Sequence, residues 1–369
     1  MTEPEILVSS PLGEDYSYSE NLLIDFSVSD FLSGIAGQGS LLDGSGVSDN
    51  DLIDLFGFSV GRHEFKVSSS DVAGNYSEEI VLFNVVDAVP PLSSNDYDGL
   101  WRNENYFITL NATDEKSNVK EIHFILNNGV EQVVLVSGQA ASTRVLIDYE
   151  HDDSVLEYWS VDEFGNEEVH QTLNGIKLDK TAPQISLSLN PVKNYYLNDE
   201  LLPLVHSEID PRIQGSPSGV SSIEWLIDGV KVSNPEDISG LLGEHVLTGV
   251  VVDNAGNQSS ELLQFVVALH LTDLFITPET LNINPGVITA HTEWPERLSE
   301  AVILSATLDG ASMDKIADKN IKFERNVVEN YLQSVGELFG THFNVEGTFE
   351  FKGQNFIFYG EDEITEIQS

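Results

Sequence analysis

Asp71-Val-Ala-Gly-Asn75 returns as Asp162-Glu-Phe-Gly-Asn166 and again as Asp253-Asn-Ala-Gly-Asn257. The starting positions differ by 162 − 71 = 91 and by 253 − 162 = 91 residues. A period of roughly 90 matches one immunoglobulin-sized sandwich, which takes about 100 residues. The phrase itself is turn chemistry. Asp accepts backbone N–H bonds, Gly supplies a positive φ, and Asn tolerates the neighbouring geometry. Before the first copy, Gly61, His63, Phe65, Val67 and Ser69 alternate with Arg62, Glu64, Lys66 and Ser68. Gly243, His245, Leu247, Gly249 and Val251 take the same offsets before Asp253, and Ser154, Leu156, Tyr158 and Ser160 precede Asp162. Period two puts Phe65, Leu156 and Leu247 on one inward face. Apolar residues resume at once after the first phrase, from Ile80 to Val86. The phrase therefore predicts a hairpin joining the last two strands of a sandwich, three times over.

A second landmark lies upstream. Ser33-Gly34 is followed by Asp43-Gly44, and Ser218-Gly219 by Asp228-Gly229; the second repeat has Ser117-Asn118 and then Asn127-Asn128-Gly129. Between them run Ile122, Phe124 and Leu126, or Ile223, Trp225 and Ile227, the spacing of a strand. Trp225 sits where an Ig-like sandwich buries a tryptophan. The first repeat has Gln38 and Ser40 at the positions of Ile223 and Trp225, which weakens its reading as a sheet strand. Asp87-Ala-Val-Pro-Pro91 and Asp179-Lys-Thr-Ala-Pro183 close the first two repeats, and proline stiffens both connectors.

Ser-Gly, Asp-Gly, Gly-x-His, Asp-x-x-Gly-Asn and Asp-x-Thr-Ala-Pro together resemble the tandem Ig-like repeats of bacterial secreted and surface proteins, over residues 1 to about 268. That resemblance implies stalks, adhesins, lattice components or spacers of exported enzymes, and it says little about ligand. The last hundred residues differ. Ile276–Asn284 leads to the Trp294-Pro295 turn, and Ile321–Arg325 precedes Val327, Val328, Tyr331 and Leu332 at helical spacing. Phe343–Phe349 and Phe356–Ile364 then read as a closing hairpin. This part resembles a C-terminal β-module of exported proteins, which implies that Ser369 is a natural end.

The expected architecture is all-β: tandem Ig-like β-sandwich domains in an elongated rod, with repeats at 1–88, 89–180 and 181–268 and a module with one short helix at 269–369. Composition bounds the partners. With 17 basic against 61 acidic residues the net charge is −44, so polyanions are repelled and no nucleic-acid partner is expected. There are no cysteines, hence no disulfide, thiolate metal site or cysteine nucleophile. No apolar run is long enough to span a membrane. The acidic start, Met1-Thr-Glu-Pro-Glu, lacks a signal peptide's basic and apolar regions, so the chain reads as processed or as part of a longer parent.

Catalytic patterns are missing from the sequence. The nine histidines show no His-x-x-x-His spacing, and His63 and His245 take equivalent strand positions, which reads as structural. Gly215-Ser-Pro-Ser-Gly219 lacks the strand–elbow–helix setting of a nucleophile, and the glycines of Gly34–Gly46 open no helix. No enzyme is expected. Calcium is the one cofactor with an argument, because it takes six to eight hard oxygen ligands. The candidates are Asp87 and Asp179 at the repeat ends and the turn residues Asp71, Asp162 and Asp253. Asp49-Asn-Asp-Leu-Ile-Asp54 is dense in acid but lacks the Gly and Glu of an EF-hand loop. The expected role is a non-enzymatic extracellular structural or adhesive spacer, joining a protein or glycan partner at a cell surface. The alternative is an accessory carbohydrate-binding segment of a secreted hydrolase, with Trp101, Tyr106 and the Tyr195-Tyr196 pair as its platform.

Overall fold

Each Asp-to-Asn phrase closes a hairpin. In the computed structural model, which describes residues 2–277, 280–281, 286–335, 342–363 and 366–367, strand Gly61–Asp71 pairs antiparallel with Tyr76–Val86. Gly243–Asp253 pairs likewise with Gln258–His270. In the second repeat His151–Asp162 pairs with Gln171–Leu178 across a longer connection, with a bridge from Val161 to Glu167. Gly74, Gly165 and Gly256 hold φ of 90°, 88° and 95°, a region that a side chain makes costly.

The Asp-Gly pairs are two-residue hairpin turns. Leu42 faces Ser45 across Asp43-Gly44, and Ile227 faces Val230 across Asp228-Gly229. Both residues of each pair have positive φ, as a type I′ turn requires. The strand carrying Gln38 and Ser40 forms all the same: Ile35–Leu42 pairs with Gly61–Asp71 on one side and Ser45–Val47 on the other. Ser40 is buried there because its hydroxyl donates to the Val47 carbonyl at 2.6 Å. Trp225 is half-buried and packs on the third repeat's core. Gly249 faces it across the ladder, where a Cβ would lie 2.9 Å from the indole.

The chain is all-β, a series of Ig-like sandwiches, and the described residues fall into two units. The first comprises residues 1–179 with 213–216; the second comprises 180–212 with 217–369. Within the first, Phe26, Phe65, Phe83 and Leu22 form one core, and Ile108, Leu110, Ile122, Leu156 and Ile176 form another. Around the latter, Tyr106–Thr113 lies between Leu92–Asn95 and Ala140–Ile147, and a four-stranded sheet holds Val119–Leu126 and His151–Asp162 at its centre. Phe65, Leu156 and Leu247 are all fully buried, as the alternation predicts.

In the second unit, Tyr196, Leu202, Ile238, Leu247 and Phe265 form the third repeat's core. Phe323, Phe343, Phe349 and Phe358 anchor the last core, against which the Val328 side of helix Arg325–Val335 is buried. One sheet runs through both. The long strand Gln258–His270 pairs with Gly243–Asp253 and, at Leu269 and His270, parallel to Phe358 and Tyr359 of the closing hairpin His342–Phe351/Gln354–Glu363. Pro278, Glu279, Asn282–Asn284, Ile364 and Ser369 of the sequence reading lie outside the described residues.

Candidate metal centres

The repeated phrase builds the same cradle each time. Asp162 Oδ1 accepts from the backbone N–H of Asn166 at 2.8 Å, while Oδ2 accepts from the Asn166 side-chain amide at 2.6 Å. Asp71 with Asn75 and Asp253 with Asn257 repeat both bonds, at 2.8 and 2.6 Å and at 2.8 and 2.8 Å. The same Asn amide also reaches back to an earlier carbonyl: Thr2 from Asn75, Asp87 from Asn166, Thr181 from Asn257. Each phrase thus ties its hairpin to the segment that enters its sandwich.

In the first unit this cradle brings carboxylates together. Asp87, Asp114 and Asp162 each offer an oxygen, all within 4.8 Å of one another, and all three residues are buried, at 5%, 7% and 0% exposed. Asp87 follows the first repeat's last strand, Asp114 follows strand Tyr106–Thr113, and Asp162 opens the turn phrase. Asp114 is fixed by N–H bonds from Lys116 at 2.9 Å and Ser117 at 2.6 Å; the Ser117 hydroxyl donates to Asp162 at 3.3 Å. Asp87 Oδ1 accepts from Val89 N–H at 3.1 Å, but its Oδ2 is buried with no hydrogen-bond partner. The nearby Lys116 ammonium is turned elsewhere, to the Phe56 carbonyl and ring.

Three buried carboxylates without a counter-charge are electrostatically expensive, because desolvation costs several kcal/mol per ion. The strain shows in their neighbours. Burial pushes the Asp87 carboxyl above its ordinary range, against the Val89 N–H and the Ser117 hydroxyl, and the charges of Asp114 and Asp162 add to the rise. The Tyr18 hydroxyl is pushed up to about 12, by burial first and then by Asp87 and Asp114. A divalent cation held there would offset both. The donor set is all hard oxygen, which suits calcium or magnesium rather than a thiophilic metal, and the orphaned Asp87 Oδ2 is a ligand atom already stripped of water.

The other candidates divide. Asp253 lies with Asp210, which offers an oxygen within 4.8 Å of it inside the second unit. Asp210 accepts from Gly219 N–H at 2.6 Å. Asp179 ends the second repeat fully buried, as Asp87 ends the first, and its N–H donates to the Arg102 carbonyl at 2.9 Å. Asp71 is instead held by hydrogen bonds. Burial raises its carboxyl, yet Asn75, Ser33 and Gly74 outweigh that and set it below the usual range. Asp51 and Asp54 cap turns by accepting the backbone N–H of Ser48 and Phe56, and Asp49 ties its loop to the Phe26 N–H of a distant strand.

Sequence reading missed Asp114 and Asp210. A signal existed: Asp30 stands three residues before Ser33 as Asp114 stands before Ser117, whereas eight residues separate Asp210 from Ser218 and break the pattern. The aromatic platform fares worse. Tyr196 is 1% exposed and belongs to the core, its hydroxyl donating to the Pro191 carbonyl at 2.9 Å, so the Tyr195-Tyr196 pair is not a surface platform. Tyr106 is half-buried and stacks on Tyr97, and Trp101 is half-buried beneath Lys177.

No family model matches the chain, and no protein of curated function matches it. Solved structures do. A calcium-stabilised adhesin with which an Antarctic bacterium binds ice is 12% identical, covering 100% of this chain and 99% of that one, at a TM-score of 0.29. A tetra-tandem repeat from the extending region of a large adhesion protein is 15% identical, covering 99% and 100%, at 0.30. Cadherin domains 3–6 of protocadherin gamma B2 are 11% identical, covering 99% and 100%, at 0.32.

Proposed function

We propose that this chain is a non-enzymatic extracellular spacer, a series of Ig-like sandwiches that displays or joins surface partners, with calcium fixing the joint between its first two repeats. The domain limits that go with this reading are 1–88, 89–180, 181–268 and 269–369. One observation carries the calcium part: Asp87 Oδ2 is buried and unpartnered beside the carboxylates of Asp114 and Asp162. Asp87 comes from one repeat and the other two from the next, so a shared cation would couple the two sandwiches. The net charge of −44 fits an exported protein that meets divalent cations in its surroundings.

The test is thermal unfolding of the full chain in millimolar calcium and in chelator. A site filled to 100 times its Kd adds about 2.7 kcal/mol to the folded state. The expected result is a higher Tm in calcium, abolished in Asp87→Asn. Equal melting curves with and without calcium would remove the metal from this reading and leave the spacer role on the fold alone.

A further inference from the structure

A chain with 61 acidic and 17 basic residues nonetheless holds a cavity lined by an arginine and a lysine and by no carboxylate. It measures about 480 Å³ and lies in the second unit, between Gly240–Leu242 of the third repeat and the closing hairpin. Arg297, Lys352 and His245 line it, over Leu242, Leu298 and Phe356. No ion pair joins Arg297 or Lys352 to a described carboxylate.

The histidine has an internal control in the first repeat. There His63 lies between two acceptors, Asp43 Oδ2 at 2.6 Å from Nδ1 and the Ser59 carbonyl at 2.7 Å from Nε2. His245 keeps the first bond, Nδ1 to Asp228 Oδ2 at 2.6 Å, but its Nε2 is buried with no partner. The sequence supplies the reason. Asp54-Leu-Phe-Gly-Phe-Ser-Val-Gly61 becomes Asp237-Ile-Ser-Gly-Leu-Leu-Gly243, one residue shorter, and no carbonyl takes the place of Ser59. Gly243 then lies so close to Phe356 that a Cβ would sit 3.1 Å from the ring.

We propose that this cavity binds a carboxylate carried on an apolar group, such as a small organic acid or the C-terminal end of a peptide with an apolar last residue. The carboxylate lies between Arg297 and Lys352 and gives His245 Nε2 the acceptor that Ser59 gives His63. The apolar group covers Leu298 and Phe356. Because Nε2 is covered, a ligand reaches it by displacing part of the rim, and Lys352 is the exposed, flexible side chain there. A guanidinium fork receives a carboxylate in two parallel bonds, each stronger than a neutral hydrogen bond.

The full chain is titrated with hexanoate, N-acetyl-leucine and N-acetyl-leucinamide while the His245 and Phe356 ring signals are followed by NMR. At about 10 mM ligand a complex with a Kd of about 1 mM is nine-tenths formed. The two carboxylates are expected to shift both rings and the amide to leave them unchanged. Tighter binding of N-acetyl-leucine assigns the site to peptide ends; tighter binding of hexanoate assigns it to free acids. The exposed double variant Arg297→Gln/Lys352→Gln, with unchanged Tm, should bind at least about tenfold more weakly, since it removes both charge-assisted bonds. Chelator should leave binding intact, because the cavity shares no residue with the carboxylate cluster. Silent rings at about 10 mM, an amide that binds as well as the acid, or a double variant that binds like the parent would each overturn the proposal.

Discussion

Asp114 illustrates how one carboxylate can carry opposite effects under two conditions. Without a cation it adds a like charge beside Asp87, whose carboxyl burial already pushes upward. Asp114→Asn should therefore hold or raise the Tm in chelator and lose the increment that calcium gives the parent, about 2.7 kcal/mol at saturation. Differential scanning of the two proteins in both buffers checks the crossing. A proline connector marks Asp87 in the sequence and a turn phrase marks Asp162, and the structure brings their carboxylates together. Asp114 shares with Asp30 the three-residue step to a serine, but that step does not show that the fold carries it to residues 27 and 48 positions away. His170 offers a separate check at this scale. Its ring stacks on Trp159 with centroids 3.7 Å apart and bonds Glu157 at 2.7 Å. The Glu157 bond, helped by Glu167 and opposed by burial, raises its pKa above the ordinary value. With the folded value raised, the stabilisation is complete below about pH 6.5 and disappears as pH climbs through the folded value. An NMR titration of the ring should show the late midpoint, and Trp159 fluorescence should carry a component that follows it; His170→Gln should remove that component.

At the scale of the element, the hairpins were the most readable part of the chain because their turns demand particular backbone angles. Gly74 has φ of 90°, so Gly74→Ala should cost about 1 kcal/mol or more even though open space surrounds the position. Gly57 also faces open space but lacks a positive φ, and Gly57→Ala should leave urea midpoints nearly unchanged. Equal midpoints for the two variants would show that the turn angle is not the constraint. The strand of Gln38 and Ser40 was harder to read, since alternation of apolar residues is a poor guide where a buried serine satisfies its own hydroxyl. The helix Arg325–Val335 forms where the spacing predicts it, but of the expected apolar stripe Val328 is buried while Val327 and Tyr331 are exposed.

For the whole molecule, stability should behave as a set of separate cores. Phe65 and Phe349 are fully buried in different clusters, so replacing either by Ala should cost about 3–5 kcal/mol of the cluster it fills. Calorimetry of Phe65→Ala should lower one transition and leave the one sensitive to Phe349→Ala in place; a common shift of all transitions would contradict this. The beat of 91 residues foretold the sandwiches, but it could not foretell that strand Gln258–His270 serves two of these clusters at once.

That shared strand bears on mechanics. Its first part is zipped to Gly243–Asp253 and its last residues run alongside Phe358 and Tyr359, with Leu271 N–H bonded to the Tyr359 carbonyl at 2.8 Å. A tether pulled through residue 270 would load parallel neighbours in shear, where several hydrogen bonds must rupture together instead of peeling one by one. Stretching a single molecule should then release the third sandwich and the closing hairpin as one long step, the toughest in the trace, whereas two short steps would mean the splice carries no force.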